Sequence, residues 1–175
     1  MSHLTTVWID FKEYFKKLEL KGLKLLDVGC RDDTSKVFFE NLGMVWYGVD
    51  LAPKTMNVLH DDMSVLSCFE EESFDILFVC HSFEHCERPV DSLKRFLKLL
   101  KPNGYLFLAL PCHCYDHIAT TDRDHIFVLD NIQMRRLLGY CGFQEIRCYN
   151  GEWIDDSPHQ FSLICIGKKW GRKSF

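Results

Sequence analysis

The stretch between residues 74 and 110 most constrains what this chain can fold into. FDILFVC (74–80) is a continuous apolar run, PVDSLKRFLKLL (89–100) is apolar on one face, and YLFLAL (105–110) is a second continuous run. Runs apolar on both sides belong to strands covered on both faces, as parallel strands are. Pro89 suits a first helical turn, and Val90, Leu93, Phe96, Leu97 and Leu100 recur at helical spacing. KPNG (101–104) then signals a turn. Strand, helix and strand in this order make one unit of a layered sheet.

The same alternation runs along most of the chain. Val7, Trp8, Phe11, Tyr14, Phe15 and Leu18 fall at helical spacing behind the capping threonines Thr5 and Thr6. Residues 1–21 are thus expected to hold an amphipathic helix ended by Gly22. LKLLDV (23–28) reads as a first strand, residues 34–42 as a short helix stopped by Gly43, VWYGVD (45–50) as a second strand and MNVLH (56–60) as a weaker third. Ser64 to Phe69 hold a turn of helix. Asp130 or Asn131 caps a helix through Tyr140, with Gly142 just past its end. EIRCYN (145–150) and FSLICIG (161–167) are the last strands, and with no helical pattern between them they are expected to pair antiparallel. The expected fold is α/β: a doubly wound, mostly parallel sheet with helices on both faces and a C-terminal antiparallel hairpin. At 175 residues it reads as one domain, with 22–167 as its core and 168–175 as a basic tail.

Charge and cysteine usage narrow the partners. The formal net charge is −4 and no basic face covers the chain, so a nucleic-acid backbone is not an expected partner. The dense positive run of Lys168, Lys169, Arg172 and Lys173 reads as a solvated end. TTVWIDFKEYFKKLEL (5–20) is broken by charge every few residues and carries no apolar leader, so neither a secretory signal nor a membrane span is expected. Nine cysteines, an odd number without a repeating frame, fit small buried hydrophobes in a reducing cytoplasm.

Ligands of open parallel sheets sit beyond the carboxyl ends of the strands, where the strand order reverses. The first strand brings Gly29 and Cys30 there, the second Asp50, and the third His60, Asp61 and Asp62. The fourth brings Cys80, His81 and Ser82, and the fifth Pro111, Cys112 and His113. Asp50 stands about 20 residues beyond Gly29, where a carboxylate can accept from both hydroxyls of a ribose. Asp62 is placed to accept from an exocyclic adenine amine, and Gly29 lets backbone come close to a ligand. LDVGCRDD (26–33) then departs from a dinucleotide loop. Arg31, Asp32 and Asp33 put side chains where a pyrophosphate needs bare amides, and two carboxylates repel it. An adenosyl ligand with a sulfonium and an amino group meets no such objection, and S-adenosylmethionine is that ligand. Asp27 or a neighbouring carboxylate can receive its ammonium, and Arg31 its carboxylate.

LLDVGC (25–30), WYGVDL (46–51), LHDDMSVL (59–66), the long stretch from Ser73 to Pro111, and GYCGFQEI (139–146) carry a family resemblance. In them the chain resembles the class I S-adenosylmethionine-dependent methyltransferases of the small-molecule type, from about residue 22 to 167. The resemblance implies a Rossmann-like fold and S-adenosylmethionine as cofactor. It also implies that Asp27, Gly29, Cys30 and Arg31 flank the methionine part, Asp50 and Leu51 hold the ribose, and Asp62 and Met63 hold the adenine. Cys80 and His81 would lie near the methyl group. The pattern departs at the loop, where the family has two further glycines at the positions of Arg31 and Asp33.

Methyl transfer is an in-line displacement that a protein mainly aligns, and a base is needed only where the acceptor loses a proton. His81 and His113, at the ends of the fourth and fifth strands, are the candidate catalytic residues. His85, His117, Arg123 and His125 are candidate contacts to the acceptor. PCHCYDHIATTDRDHIF (111–127) reads as acceptor pocket or lid, with loop 151–160 closing the other side. No metal is expected: Cys112 and Cys114 make one tight pair without a second, and Cys80, His81, His85 and Cys86 lie at a different strand end. The expected acceptor is a small molecule or a glycan-like one. The alternative, motivated by the altered loop, is a non-catalytic subunit of the same fold that binds or activates a partner.

Overall fold

The computed structural model describes residues 3–111, 123–151 and 162–171. The elements in order are α1 (His3–Phe15), β1 (Lys24–Val28), α2 (Lys36–Asn41), β2 (Val45–Asp50), β3 (Val58–His60), β4 (Phe74–Cys80), a short 3-10 turn (Phe83–His85), α3 (Pro89–Leu99), β5 (Leu100–Pro111), α4 (Asn131–Cys141), β6 (Gln144–Asn150) and β7 (Ser162–Lys168). Seven strands form one sheet in the order β3-β2-β1-β4-β5-β7-β6. The pairings β1–β2, β1–β4, β2–β3 and β4–β5 are parallel, and β7 runs antiparallel to both β5 and β6. The expected α/β sheet with its antiparallel C-terminal hairpin is therefore present, with β7 inserted beside β5 and β6 left at the edge. No helix among the described residues is long and apolar enough to cross a membrane.

The strand pleat divides the interior in two. Leu26 and Val28, Leu77 and Val79, and Leu106, Leu108 and Leu110 turn to one face, where Leu93, Phe96 and Leu99 of α3 and Met134 and Leu138 of α4 cover them. Leu25, Ile76, Phe78, Phe107, Ile164 and Ile166 turn to the other, covered by Val7, Phe11 and Phe15 of α1 and Phe39 of α2. Phe11 centres this second core. Its ring lies 4.7 Å from Phe15, 5.2 Å from Phe39, 5.8 Å from Phe78 and 5.4 Å from Phe107. Burying one such ring is worth about 1.5–3 kcal/mol. Helices on both faces are what lets the central strands be apolar on both sides.

Four boundaries differ from the sequence reading, each for a packing reason. α1 stops at Phe15 rather than running to residue 21, because Leu18 beyond it is 40% exposed and gives a further turn nothing to bury. KPNG does not precede β5 but lies inside its range: buried Leu100 pairs with Phe74, and the irregularity is taken up between Phe74 and Ile76 and by the left-handed Asn103 (φ 67°). Ser64 to Phe69 form turns rather than a helix, with Leu66 at φ 45°. The basic tail begins fixed, not solvated: Lys168 ends β7, and Lys169 Nζ donates to the Leu100 carbonyl at 2.6 Å and to Glu72 at 3.2 Å.

Candidate functional site

Strand order reverses between β1 and β4, and a cavity of about 870 Å³ opens at the carboxyl ends there. Gly29, Arg31, Asp50, Leu51, Asp62, Met63, His81 and His85, all expected at the site, line it. Lys54, Asp61, Ser64, Ser82, Cys86, Glu87 and Arg88 also line it and were not singled out as ligand contacts.

The loop after β1 is held by its backbone. The Gly29 and Cys30 amides donate to the Val49 carbonyl at 2.8 and 3.4 Å. Gly29 has φ +73°, and a Cβ built on it would stand 2.4 Å from the Ser82 Cβ and Oγ. Its small size thus serves the approach of Ser82, whose hydroxyl donates to the Val28 carbonyl at 3.0 Å. Arg31 adopts φ 62°, the left-handed region a glycine enters freely. The loop keeps a glycine-like backbone without the glycine. The Arg31 amide donates to Asp50 Oδ2 at 2.8 Å, and the Ala52 amide to Asp50 Oδ1 at 2.7 Å. Asp32 accepts from the Thr34 amide at 3.0 Å and Asp33 from Asn57 Nδ2. Asp32 is engaged within the loop and Asp33 by Asn57 ahead of β3, and neither lines the cavity.

The connection after β3 follows the same logic. Asp61 accepts from the Asp62 amide at 2.8 Å, the Cys68 amide at 3.1 Å and the Ser67 hydroxyl at 3.2 Å. Burial opposes ionisation there, but these bonds prevail and hold the carboxyl below its usual range. Asp62 Oδ1 accepts from the Ser64 amide at 2.7 Å, and Arg88 donates to Ser64 Oγ at 2.8 Å. Beyond β4, His81 takes the left-handed φ of 48°. Its Nε2 shares a hydrogen bond with Ser162 Oγ at 3.0 Å.

Three residues expected beside the ligand lie elsewhere. Val28 and Val79 belong to one face of the sheet, so the alternating pleat turns Asp27 and Cys80 to the other. Asp27 accepts from the Ser35 hydroxyl and from Trp46 Nε1 at 3.3 Å, and burial pushes its carboxyl up to about 7 against those bonds. Cys30 and Cys80 pack against the core that holds Phe11, and burial raises both thiols. Arg123 is exposed and His125 is 11% exposed, and neither lines the cavity. His113 and His117, with Cys112, Cys114 and loop 152–161, lie outside the described residues.

The methyltransferase domain family matches residues 26–108. The ubiquinone biosynthesis O-methyltransferase of Xanthomonas euvesicatoria pv. vesicatoria (strain 85-10) is 31% identical over 107 residues, which cover 53% of this chain and 45% of that relative. The chain thus spans less than half the length of the curated relative it matches. In three dimensions it is similar to a S-adenosylmethionine-dependent methyltransferase from Archaeoglobus fulgidus, with a TM-score of 0.77, 17% identity and 93% of both chains covered. It is also similar to the 1,6-didemethyltoxoflavin-N1-methyltransferase of Burkholderia thailandensis with bound S-adenosylhomocysteine, at a TM-score of 0.74 and 15% identity over 94% of this chain and 76% of that one. The matched segment carries β1 through the paired part of β5, with the loop and most of the cavity wall between them. By that segment and this sheet order, the chain is similar to the class I S-adenosylmethionine-dependent methyltransferases.

Proposed function

We propose that this protein transfers a methyl group from S-adenosylmethionine to a small-molecule acceptor. The observation that carries the reading is the Asp50 carboxylate at the end of β2, fixed by the Arg31 and Ala52 amides beside the cavity. Each carboxylate oxygen keeps a second lone pair for a ribose hydroxyl. The loop amides that a pyrophosphate needs are absent from the same site, since those of Gly29 and Cys30 both serve the Val49 carbonyl. An adenosyl ligand without a pyrophosphate fits this donor set, and a dinucleotide does not.

Within that reading Leu51 and Met63 flank the base, Asp62 accepts from its amine, and Arg31 meets the amino-acid carboxylate. When bound, the cofactor supplies a methyl group made electrophilic by a sulfonium. The chain's part is to align donor and acceptor and to keep water out. His81 and His85 line the cavity beyond Gly29 and Ser82, on the side where an acceptor would enter. The ubiquinone biosynthesis relative and the didemethyltoxoflavin-methylating Burkholderia neighbour both belong to small-molecule chemistry. A small acceptor, glycan-like ones included, is proposed here by that likeness.

Calorimetric titration with S-adenosylhomocysteine, S-adenosylmethionine and NAD tests the reading. Micromolar binding of both adenosyl ligands without binding of NAD is expected. A folded sample that takes up neither adenosyl ligand would overturn it in favour of a non-catalytic subunit.

A further inference from the structure

Three histidine nitrogens converge on one oxygen of a buried carboxylate. Glu84 sits in the 3-10 turn between β4 and α3, with its side chain 3% exposed. Its Oε1 stands 3.8 Å from His81 Nδ1, 3.9 Å from His85 Nε2 and 3.9 Å from His125 Nε2. One donor atom each from Glu84, His85 and His125 all lie within 4.8 Å of one another. These separations are too long for direct hydrogen bonds.

The orientation of His85 sharpens the case. Its Nδ1 is 2.8 Å from the carbonyl oxygen of Asp124, which can only accept, so Nδ1 carries the hydrogen. In the neutral ring Nε2 is then a bare lone pair, and it faces a carboxylate oxygen, a second acceptor. Two acceptors held face to face call for a cation between them. Ligating histidines show this arrangement, with the remote nitrogen donating to a carbonyl or similar acceptor and fixing the tautomer. His81 also turns Nδ1 toward Glu84, with its Nε2 in a hydrogen bond with Ser162 Oγ. The backbone assembles the group: the Ile126 amide donates to the Glu84 carbonyl at 2.9 Å, and the His85 and His125 rings meet at 5.0 Å.

We propose that Glu84, His85 and His125 hold a divalent first-row transition cation, zinc being the representative, with His81 as a fourth ligand. Imidazole-rich sets suit that class over magnesium or calcium, which prefer all-oxygen sets. Bonds of about 2.0–2.1 Å place neighbouring ligand atoms of a tetrahedron about 3.3 Å apart, so the three Glu84–imidazole separations close by about half an ångström on binding. His81 and His85 also line the cavity, so the cation borders the proposed acceptor space. That consequence rests on the methyl-transfer reading, whereas the cation site stands on its own geometry.

The test is calorimetric titration of the full chain, stripped with chelator and dialysed, with zinc chloride alone. One equivalent with micromolar or tighter affinity is expected, weakened at least tenfold in His85→Ala and in His125→Ala. His60→Ala, at an exposed histidine ending β3, should leave it unchanged. Cobalt(II) in place of zinc should give intense visible absorption from a nitrogen-bound, low-coordinate ion, a readout on the unmodified protein that survives a variant failing to fold. Absence of saturable zinc binding together with a cobalt spectrum like that of the aqueous ion overturns the site and leaves Glu84 paired with protonated imidazoles. Equal loss in His60→Ala overturns it as well. Failure of the methyl-transfer reading shows separately, in the S-adenosylhomocysteine titration.

Discussion

The Arg31 amide donates to Asp50 Oδ2 at 2.8 Å, so the loop after β1 aims the carboxylate at the end of β2. The acid is set before any ligand arrives. The same bond ties the shape of the loop to the charge state of Asp50.

Asp50→Asn keeps the volume but replaces one accepting oxygen with a donor. Hydrogen bonds to a charged group are worth about 1.5–3 kcal/mol. Affinity for S-adenosylhomocysteine should therefore fall about ten- to hundredfold by calorimetry. Unchanged affinity would mean that the ribose is held elsewhere.

Arg31 pays for its left-handed φ with about 1–2 kcal/mol of steric strain. Arg31→Gly removes the strain and returns part of the gain as backbone entropy. The melting temperature should rise by about 2–4 °C for a net gain of about 1 kcal/mol. Arg31→Val, β-branched at the same φ, should melt below the unaltered protein. The opposite order of the two variants would show that the loop relaxes out of this conformation.

Gly29→Ala faces two penalties, the positive φ and the 2.4 Å approach to Ser82. A loss of about 2–4 kcal/mol is expected, in the range of other severe backbone and overpacking changes. Adding Ser82→Gly clears the clash and leaves the φ strain, so denaturant titration should show the double variant more stable than Gly29→Ala alone. A double variant no better than the single one would place the whole penalty in the backbone.

Asp27 sets a pH dependence with a definite sign. Its carboxyl is pushed by burial to about 7 in the fold, against about 3.9 in an unfolded chain. Folding takes up a proton between these values, so this contribution is complete below the lower one and is lost as pH rises through the upper one. The slope is at most about 1.4 kcal/mol per pH unit. Asp27→Asn keeps an acceptor for Ser35 and Trp46 and has no charge to bury. Melting curves from pH 5 to 8 should show the variant gaining on the unaltered protein as pH rises. A constant difference across that range would place the Asp27 titration elsewhere.

The β4-α3-β5 unit and the acid at Asp50 were legible because local pattern fixes them: apolar runs, Pro89 and the spacing after Gly29. Asp27 and Cys80 were misplaced for a reason also written in the sequence. They sit one residue from Val28 and Val79, and adjacent strand residues face opposite ways. Choosing the cavity face needs that parity counted from a known core position. The Glu84 cluster was not legible. His125 reaches it through a backbone bond between Ile126 and Glu84, and no periodicity marks a contact so distant in sequence. Cysteine pairs are the plainer sequence mark of a metal site, whereas the convergent atoms are imidazole nitrogens and a carboxylate.

Among the described residues of the cavity wall, only Val28, Val49 and Asp50 lie within paired strands, and the others sit in connections. The sheet and the chemistry can thus drift apart over evolutionary time. A new acceptor can be met by changing residues after Cys80 without disturbing a single rung of the ladder. Val28, Val49 and Asp50 are the exceptions, since each is both a rung and a wall, and of the three Asp50 alone carries a charge.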